Sequence, residues 1–226
     1  MPRFGLIGSG LEGSLSPSHF RRAYGGQWEY DLIDVPTFEQ AFDIFLKSYD
    51  AVNVTAPFKE DAFRRADVLG ESCIGIGAAN ILVKSPSGII AQNSDYLALK
   101  SLFGKAPSRG LALVVGNGGA GKAAVAAARD CGFEVVCCNR TVREGLRPLS
   151  DIAMLAPSAS AVIYTLPCPI AEAAAISGVP FLIEASYRQP FLSERCSTYI
   201  SGRDWNLEQA RLGYELMTGH PCCVIP

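Results

Sequence analysis

The sequence predicts an α/β fold with two domains, and three observations support this prediction. Short apolar runs alternate with segments of helical periodicity along most of the chain. A turn-rich stretch, GKAPSRG, separates one alternating set from the next. The chain has 226 residues, of which 49% are hydrophobic, and this suffices for two modest cores. We therefore expect a first α/β domain over 1–105 and a second over 106–204, followed by a C-terminal helical segment over 205–226.

The predicted strands of the first domain are separated by a helix with a clear apolar face. The segment FEQAFDIFLKSY places Phe38, Phe42 and Phe45 on one side at helical spacing. Strands that alternate with helices favour right-handed βαβ units, so we expect a mainly parallel sheet. The predicted strands are Arg3–Gly8, Tyr30–Val35, Ala51–Thr55 and Asn80–Val83, with Ile89–Gln92 as a candidate partner of the last.

The second domain repeats this alternation and ends with a long helix from about Trp205 to Thr218. The stretch between Arg140 and Ala161 is short, so we expect a helix to be missing there. The predicted strands are Leu111–Gly116, Glu134–Asn139, Ala161–Thr165 and Phe181–Ala185.

Charge and composition argue against several classes of protein. The net charge is -2, which gives no attraction to nucleic acid or to an anionic membrane surface. The start, MPRFGLIGSG, is interpreted as a strand and not as a leader, and no apolar run of about 18 residues follows. The eight cysteines form no C-x-x-C pair, and only two histidines are present. We expect a cytoplasmic protein with reduced, mostly buried thiols and no metal site.

The most informative motif is the glycine-rich segment LALVVGNGGAGKAAVAAARDCG. Gly116, Gly118 and Gly121 have the G-x-G-x-x-G spacing, between a buried strand and an alanine-rich helix that Gly119 and Ala120 open. Glycines at these positions allow a tight turn and a close approach of the backbone to a pyrophosphate. The helix N-terminus adds free N–H groups and a positive partial charge. The second domain is therefore predicted to be a Rossmann-type dinucleotide-binding domain.

The end of the next strand indicates which dinucleotide is bound. An NAD site usually has an acidic residue there, on the ribose 2′-hydroxyl. This chain instead has VVCCNRTVR, with Asn139, Arg140, Thr141 and Arg143. Arginine can bond a 2′-phosphate in a two-pronged fashion, whereas an acid would repel it. We predict NADP as the cofactor.

Three polar clusters in the first domain each lie at the junction of a strand and a loop. If the strand ends meet at one edge of the sheet, the clusters converge on one pocket, suited to a ligand rich in hydroxyls. Taken singly, each has a structural explanation: Ser16 can cap a helix, Asn80 can satisfy backbone groups, and Lys59 can be an exposed helix residue. The clusters comprise Ser14 and Ser16, then Asn53, Thr55 and Lys59, then Asn80, Asn93 and Asp95.

In combination these motifs resemble the shikimate dehydrogenase family. The family's elements appear in order as SLSP, NVTAPFK, GAAN, NSD, GNGGAG and NRT. EASYRQPF is similar to its S-Y-x-P strand end, and SGRDWNLEQARLGYELMTG is similar to its closing helix. The resemblance implies an N-terminal substrate domain, joined by the C-terminal helix, and an NADP-binding domain. It also implies NADPH-dependent reduction of 3-dehydroshikimate to shikimate, an oxidoreductase step of aromatic amino-acid biosynthesis.

The resemblance also implies residue roles. Lys59 and Asp95 would be the catalytic pair, and Ser14 and Ser16 would hold the substrate carboxylate. The ring oxygens would be bound by Thr55, Asn80 and Gln209, with Tyr187 at the border of the pocket. The cofactor would be bound by Gly116, Gly118, Gly119, Ala120, Gly121, Asn139, Arg140, Thr141 and Arg143.

Some positions depart from the family pattern. Gly13 replaces a common histidine, Phe20 a common asparagine, and Ser94 the threonine of N-T-D. The loop on the nicotinamide side is YTLPCPI without its usual glycine, and Trp205 and Asn206 replace a methionine–leucine pair. Two alternatives therefore stay open: a relative that prefers quinate or another polyol acid, and a non-catalytic relative that binds NADP and shikimate. The oligomeric state, monomer or homodimer, is also open.

Overall fold

The chain divides into two compact units, each described here by itself. The computed structural model describes residues 1–187 and 189–222. The first unit contains Met1–Ser94 and the described residues from Leu207 onward, and the second contains Asp95–Asn206. The domain bounds expected from the sequence, 1–105, 106–204 and 205–226, stay a prediction.

The first unit is built on a six-stranded sheet with the order β2-β1-β3-β5-β6-β4. All five strands predicted for this region are present within a few residues, whereas the two-residue β4 was not predicted. The strands are β1 (Arg3–Gly8), β2 (Glu29–Asp34), β3 (Ala51–Val54), β4 (Val68–Leu69), β5 (Ile81–Ser85) and β6 (Gly88–Gln92). The helices are α1 (Ser16–Ala23), α2 (Phe38–Ser48) and α3 (Lys59–Arg65).

This sheet is mixed: three of its pairings are parallel as expected, including that of β4 with β6, and only those of β5 are antiparallel. β1 pairs with β2 and β3 in parallel, but β5 is antiparallel to both β3 and β6. The reason is the short connection between β5 and β6, in which Ser85 lies opposite Gly88. A parallel pair needs a crossover of a dozen or more residues, so this turn permits only an antiparallel hairpin.

The predicted helix face of the first unit is confirmed. Phe38, Phe42 and Phe45 of α2 are all buried in one core cluster with β1 and β3. The helix begins after Thr37, whose hydroxyl accepts a hydrogen bond from the Gln40 N–H at 3.3 Å.

The second unit is a Rossmann-type sheet, as predicted. Its order is β12-β11-β10-β7-β8-β9, and all neighbouring strands are parallel. The order reverses direction between β7 and β10, which is the switch point where such folds bind their ligands. The strands are β7 (Leu111–Val115), β8 (Glu134–Asn139), β9 (Leu146–Pro148), β10 (Ala159–Tyr164), β11 (Val179–Glu184) and β12 (Cys196–Ile200). The helices are α4 (Ser94–Phe103), α5 (Gly119–Asp130) and α6 (Ile152–Leu155), while α7 (Gly202–Thr218) begins in this unit and belongs to the first unit from Leu207 onward.

Two strands of this sheet, β9 and β12, were not predicted. The region between Arg140 and Ala161, where we expected a helix to be missing, holds the four-residue α6 and short 3₁₀ turns. α7 starts at Gly202 and not near Trp205, and a Cβ atom at Gly202 would lie 2.4 Å from the Ala185 carbonyl oxygen. Close packing therefore requires glycine at the first residue of this helix. Glycine has a low helix propensity, so the sequence did not indicate a helix start at this position.

The thiols in the described part of the chain are free. Cys73, Cys137 and Cys138 are buried and Cys168 is exposed; Cys223 lies outside the described residues. Among the described helices, none is long and apolar enough to cross a membrane.

Candidate active site

The polar junctions of the first unit lie at one edge of its sheet. The strand registers pair Ile7 with Val54, Asn53 with Ile81, and Ile81 with Gln92. The carboxyl ends of β1, β3 and β6 and the amino end of β5 therefore share this edge. Asn80 reaches the edge only because β5 is antiparallel to β3, a direction that was not predicted.

A buried amide network forms the centre of this edge. The Asn80 Nδ2 group donates to Ser94 Oγ at 3.0 Å and lies 3.5 Å from Gln209 Oε1, and the Ser94 N–H donates to Asn80 Oδ1 at 2.8 Å. The Ser94 hydroxyl donates to Gln209 Oε1 at 3.1 Å. Asn80 and Ser94 are almost fully buried, whereas Gln209 on α7 is half-buried.

Asn93 has a different role from its neighbours. Its backbone N–H donates to Ser72 Oγ at 2.8 Å, and its side-chain amide donates to the Ala78 carbonyl at 2.8 Å. Both contacts support the backbone of the segment that leads to Asn80. The structural explanation thus fits Asn93, whereas Asn80 bonds the side chains of Ser94 and Gln209 in addition to the Ser94 backbone N–H.

Ser14 and Ser16 lie together at the start of α1. Their hydroxyl oxygens are 3.2 Å apart, and the Ser14 N–H donates to the Leu11 carbonyl at 3.0 Å. Leu15 is the helix N-cap and no side chain caps it, so Ser16 is not a structural cap. Gly13 precedes them with φ +74°, a backbone angle that a histidine there would adopt only with strain.

Two tyrosines accompany these serines, Tyr214 buried and Tyr30 half-buried, and neither was predicted as a site residue. The Tyr30 hydroxyl donates to Asn53 Oδ1 at 2.7 Å, and the Tyr214 hydroxyl donates to the Ser16 carbonyl at 3.2 Å. Burial raises the pKa of both phenols above the ordinary value, while hydrogen bonding to Ser16 lowers it. Both rings pack against Phe20, so in the sequence these two tyrosines look like ordinary core residues.

Thr55 and Lys59 follow the end of β3. The Thr55 N–H donates to the Ile7 carbonyl at 3.0 Å, and the Lys59 carbonyl accepts from the Ala79 N–H at 2.8 Å. Lys59 is half-buried and is the first residue of α3. Asp95, half-buried in the first turn of α4, belongs to the second unit, and the Lys59–Asp95 pair stays a prediction.

The glycine-rich turn of the second unit has the geometry of a phosphate cradle. Gly116 has φ +101°, and a Cβ atom there would lie 2.6 Å from Thr165 Oγ1. A Cβ atom at Gly121 would lie 2.1 Å from the Gly116 carbonyl oxygen, whereas one at Gly118 would meet nothing within 4 Å. Packing thus explains Gly116 and Gly121, and the space before Gly118 fits the backbone approach of a pyrophosphate at the start of α5. Gly119 and Ala120 are the first two residues of this helix.

The predicted 2′-phosphate residues lie beside this turn, at the end of β8. Asn139 joins the two loops, since Oδ1 accepts from the Asn117 N–H at 3.3 Å and Nδ2 donates to the Thr141 carbonyl at 3.1 Å. Arg140, Thr141 and Arg143 are exposed. Within residues 1–187 and 189–222, neither arginine side chain takes part in a hydrogen bond or ion pair, so both are available to an anion.

Tyr187 lies at the same edge of the Rossmann sheet, in the segment after β11. Its side chain is 53% exposed. The structure therefore puts Tyr187 in the second unit, whereas the other predicted substrate residues lie in the first.

The chain is similar to known proteins over most of its length. The family model "Shikimate dehydrogenase substrate binding domain" matches residues 6–82. A shikimate dehydrogenase (NADP(+)) of Acidiphilium cryptum is 37% identical over 110 residues, covering 47% of this chain and 40% of that protein, so the chain spans less than half of that relative. Another, of Methylobacterium radiotolerans, is 33% identical over 202 residues, covering 82% of this chain and 68% of that protein.

A solved structure extends the similarity to the fold. It is the shikimate 5-dehydrogenase of Thermus thermophilus in complex with NADP(H) and shikimate, with a TM-score of 0.82 and 26% identity. The match covers 99% of this chain and 95% of that one. The sequence match to the Methylobacterium protein and this structural match agree, and the chain belongs to the shikimate dehydrogenase family.

Proposed function

We propose that this protein reduces 3-dehydroshikimate to shikimate with NADPH. The observation that carries the proposal is the buried network of Asn80, Ser94 and Gln209, at the sheet edge where Thr55 also lies. A buried network with several amide and hydroxyl groups suits a ligand rich in hydroxyls. The Thermus structure, named as a complex with NADP(H) and shikimate, supports this substrate class.

The substrate residues have separate tasks in this proposal. Ser14 and Ser16 bind the carboxylate through hydroxyls and neighbouring N–H groups at the start of α1. Thr55, Asn80 and Gln209 bind the ring oxygens. Tyr187 borders the pocket from the segment after β11.

The cofactor residues favour NADP over NAD. The pyrophosphate is bound at the start of α5 by the backbone of Gly116, Gly118, Gly119, Ala120 and Gly121. Asn139, Arg140, Thr141 and Arg143 surround the 2′-phosphate, and no acid is present at the end of β8 to repel it.

The chemistry requires charge stabilisation and one proton. When bound, NADPH supplies the hydride that reduces the ketone. Lys59 stabilises the negative charge that develops on the ketone oxygen and donates the proton. Asp95 is the second member of the proposed catalytic pair and orients Lys59 for this proton transfer.

One assay tests the proposal against its alternatives. NADPH absorbance is followed with 3-dehydroshikimate, and NADP reduction is followed with shikimate and with quinate. We expect turnover with 3-dehydroshikimate and shikimate, and little with quinate. A higher kcat/KM for quinate would support the quinate-preferring alternative. Binding of both ligands without turnover would support the non-catalytic one, to which the altered YTLPCPI loop and Trp205 are relevant.

A further inference from the structure

A buried carboxylate lies where β11 ends. Glu184 is the last residue of this strand and is 0% exposed. It accepts hydrogen bonds from the Phe191 N–H at 3.1 Å, the Leu192 N–H at 3.2 Å and the Tyr199 hydroxyl at 2.7 Å. Burial, followed by the hydrogen bond to Glu184, raises the pKa of Tyr199, so this phenol remains a donor at neutral pH.

These contacts fix both ends of the segment 185–192. At its start, the Ala185 N–H donates to the Tyr164 carbonyl at 2.8 Å. At its end, Phe191 and Leu192 donate to the Glu184 carboxylate. Tyr187 lies between these ends, and its side chain is exposed.

The same cluster reaches the YTLPCPI loop after β10. Tyr164 lies beside Glu184 in the parallel register, and its hydroxyl donates to the Cys168 carbonyl at 2.7 Å. The Tyr164 and Phe191 rings meet edge to face at 5.1 Å. Glu184 and Tyr164 therefore determine the shape of two loops that leave neighbouring strands at the carboxyl edge of the sheet.

Stability alone does not explain a carboxylate at this position. An ionised group loses its hydration when it is buried, and a well-packed apolar side chain is often as stabilising. Here two of the three donors to the carboxylate are N–H groups of one loop. In this fold, ligands bind outside the carboxyl ends of the strands near the switch point, where β10 lies.

We propose that Glu184 is a positioning residue, which acts through Phe191, Leu192 and Tyr187 to shape the carboxyl edge of the Rossmann sheet where the nicotinamide end of the cofactor binds. This inference rests on the proposed function. The proposal distinguishes binding of the cofactor phosphates from positioning of its nicotinamide end. The glycine turn and Arg140 bind the phosphates without Glu184, whereas the reacting end depends on the two loops.

The test compares Glu184→Gln and Tyr199→Phe with a control, Glu194→Gln, at an exposed position before β12. Because small displacements of reacting groups reduce turnover strongly, we expect Glu184→Gln to lower kcat about tenfold or more. The dissociation constant for NADPH, measured by fluorescence titration, should change less than about threefold. The reason is that loss of an interaction needed only in the transition state lowers kcat without weakening cofactor binding. Tyr199→Phe should act in the same direction but more weakly, and Glu194→Gln should match the wild type.

Hydrogen exchange provides a second readout that does not need turnover. The amides of Phe191 and Leu192 should exchange faster in Glu184→Gln, while those of β11 stay protected. Unchanged kcat, or equal losses of kcat and of NADPH affinity, would overturn the role of Glu184. A wild type without dehydrogenase activity would instead contradict the proposed function, so the two failures are distinguishable.

Discussion

Asn80 and Ser94 bind each other through two hydrogen bonds of opposite direction. The Asn80 side-chain amide donates to the Ser94 hydroxyl at 3.0 Å, and the Ser94 backbone N–H donates to the Asn80 side-chain oxygen at 2.8 Å. The pair joins the amino end of β5 to the carboxyl end of β6, and Gln209 extends it to α7. The position and orientation of Asn80 therefore depend on Ser94.

The first prediction removes the Ser94 hydroxyl. Ser94→Ala leaves the buried Asn80 Nδ2 group without its 3.0 Å acceptor, and the free energy of unfolding should fall by about 1–3 kcal/mol. The KM for the substrate should rise because Asn80 is no longer held in one orientation. Urea unfolding measures the first effect. Ser87→Ala, in the exposed β5–β6 turn, serves as the control and should change stability by less than about 0.5 kcal/mol. Equal stabilities of the two variants would contradict the prediction.

The second prediction concerns cofactor choice. Arg140 is exposed at the end of β8, and a hydrogen bond to a charged group contributes about 1.5–3 kcal/mol. Arg140→Ala should therefore raise the KM for NADPH roughly 10- to 150-fold and barely affect NADH. Steady-state kinetics with both cofactors measure this, and Arg129→Ala, at an exposed arginine of α5, is the matched control. A wild type that uses NADH as readily as NADPH would show the assignment to be wrong.

The third prediction concerns the substrate carboxylate. Ser14→Ala removes a hydroxyl that lies 3.2 Å from that of Ser16, and substrate binding should weaken by about 1–2 kcal/mol with a smaller effect on turnover. An analogue that lacks the carboxylate should bind equally well to the variant and the wild type. Equal losses of affinity for both compounds would assign the serine a structural role.

Strand positions were largely predictable because they depend on local patterns. The apolar run of Leu111–Val115 and the alternation in Arg3–Gly8 are visible without tertiary information. By contrast, Val68–Leu69 consists of two exposed residues that form a strand only through pairing with β6. The short turn after Ser85 makes β5 antiparallel to β6, but Asn80 reaches the site edge because β5 also pairs antiparallel with β3, a tertiary pairing that no local pattern indicates.

The chemistry of the site was predictable only in part. The motifs drew attention to Ser14, Lys59 and Asn80, whose roles stay predictions, because polar residues at strand ends contrast with their apolar surroundings. Tyr30 and Tyr214 were not predicted as site residues, because their rings pack in the core while their hydroxyls donate hydrogen bonds to polar groups. A single sequence does not distinguish these two uses of one side chain.

The fourth prediction concerns alkaline pH. Burial raises the pKa of Tyr164 from 10.0 to about 12, and burial raises those of Cys137 and Cys138 from 9.0 to about 11. Between the ordinary pKa of each group and its raised pKa in the folded protein, the unfolded chain loses a proton that the folded chain retains. The free energy of unfolding therefore falls as the pH rises through this range. The free energy of unfolding should therefore be steady below about pH 9 and decrease toward pH 11–12. Urea titrations at each pH measure it, and Tyr164→Phe should show a smaller decrease. A constant free energy up to pH 11 would contradict the prediction.

The last prediction concerns proton transfer by Lys59. This lysine is the first residue of α3, where a cation interacts unfavourably with the helix dipole. The helix dipole therefore does not explain a cation at this position, whereas the proposed function does, because a charge is needed next to the ketone oxygen. Lys59→Ala should lower kcat by about 10²–10⁴, the range for general acid–base catalysis, and leave the KM for the substrate within several-fold. Asp95→Asn should have a similar but milder effect.

Thermal unfolding separates this chemical effect from a structural one. Because the loss of an unfavourable dipole interaction offsets the loss of the proposed pairing with Asp95, Lys59→Ala should unfold close to the wild-type temperature. Lys47→Ala, in the last turn of α2 and exposed, is the matched control and should keep full activity. If Lys59→Ala keeps nearly normal kcat and only binds substrate more weakly, the lysine positions the substrate and another group donates the proton.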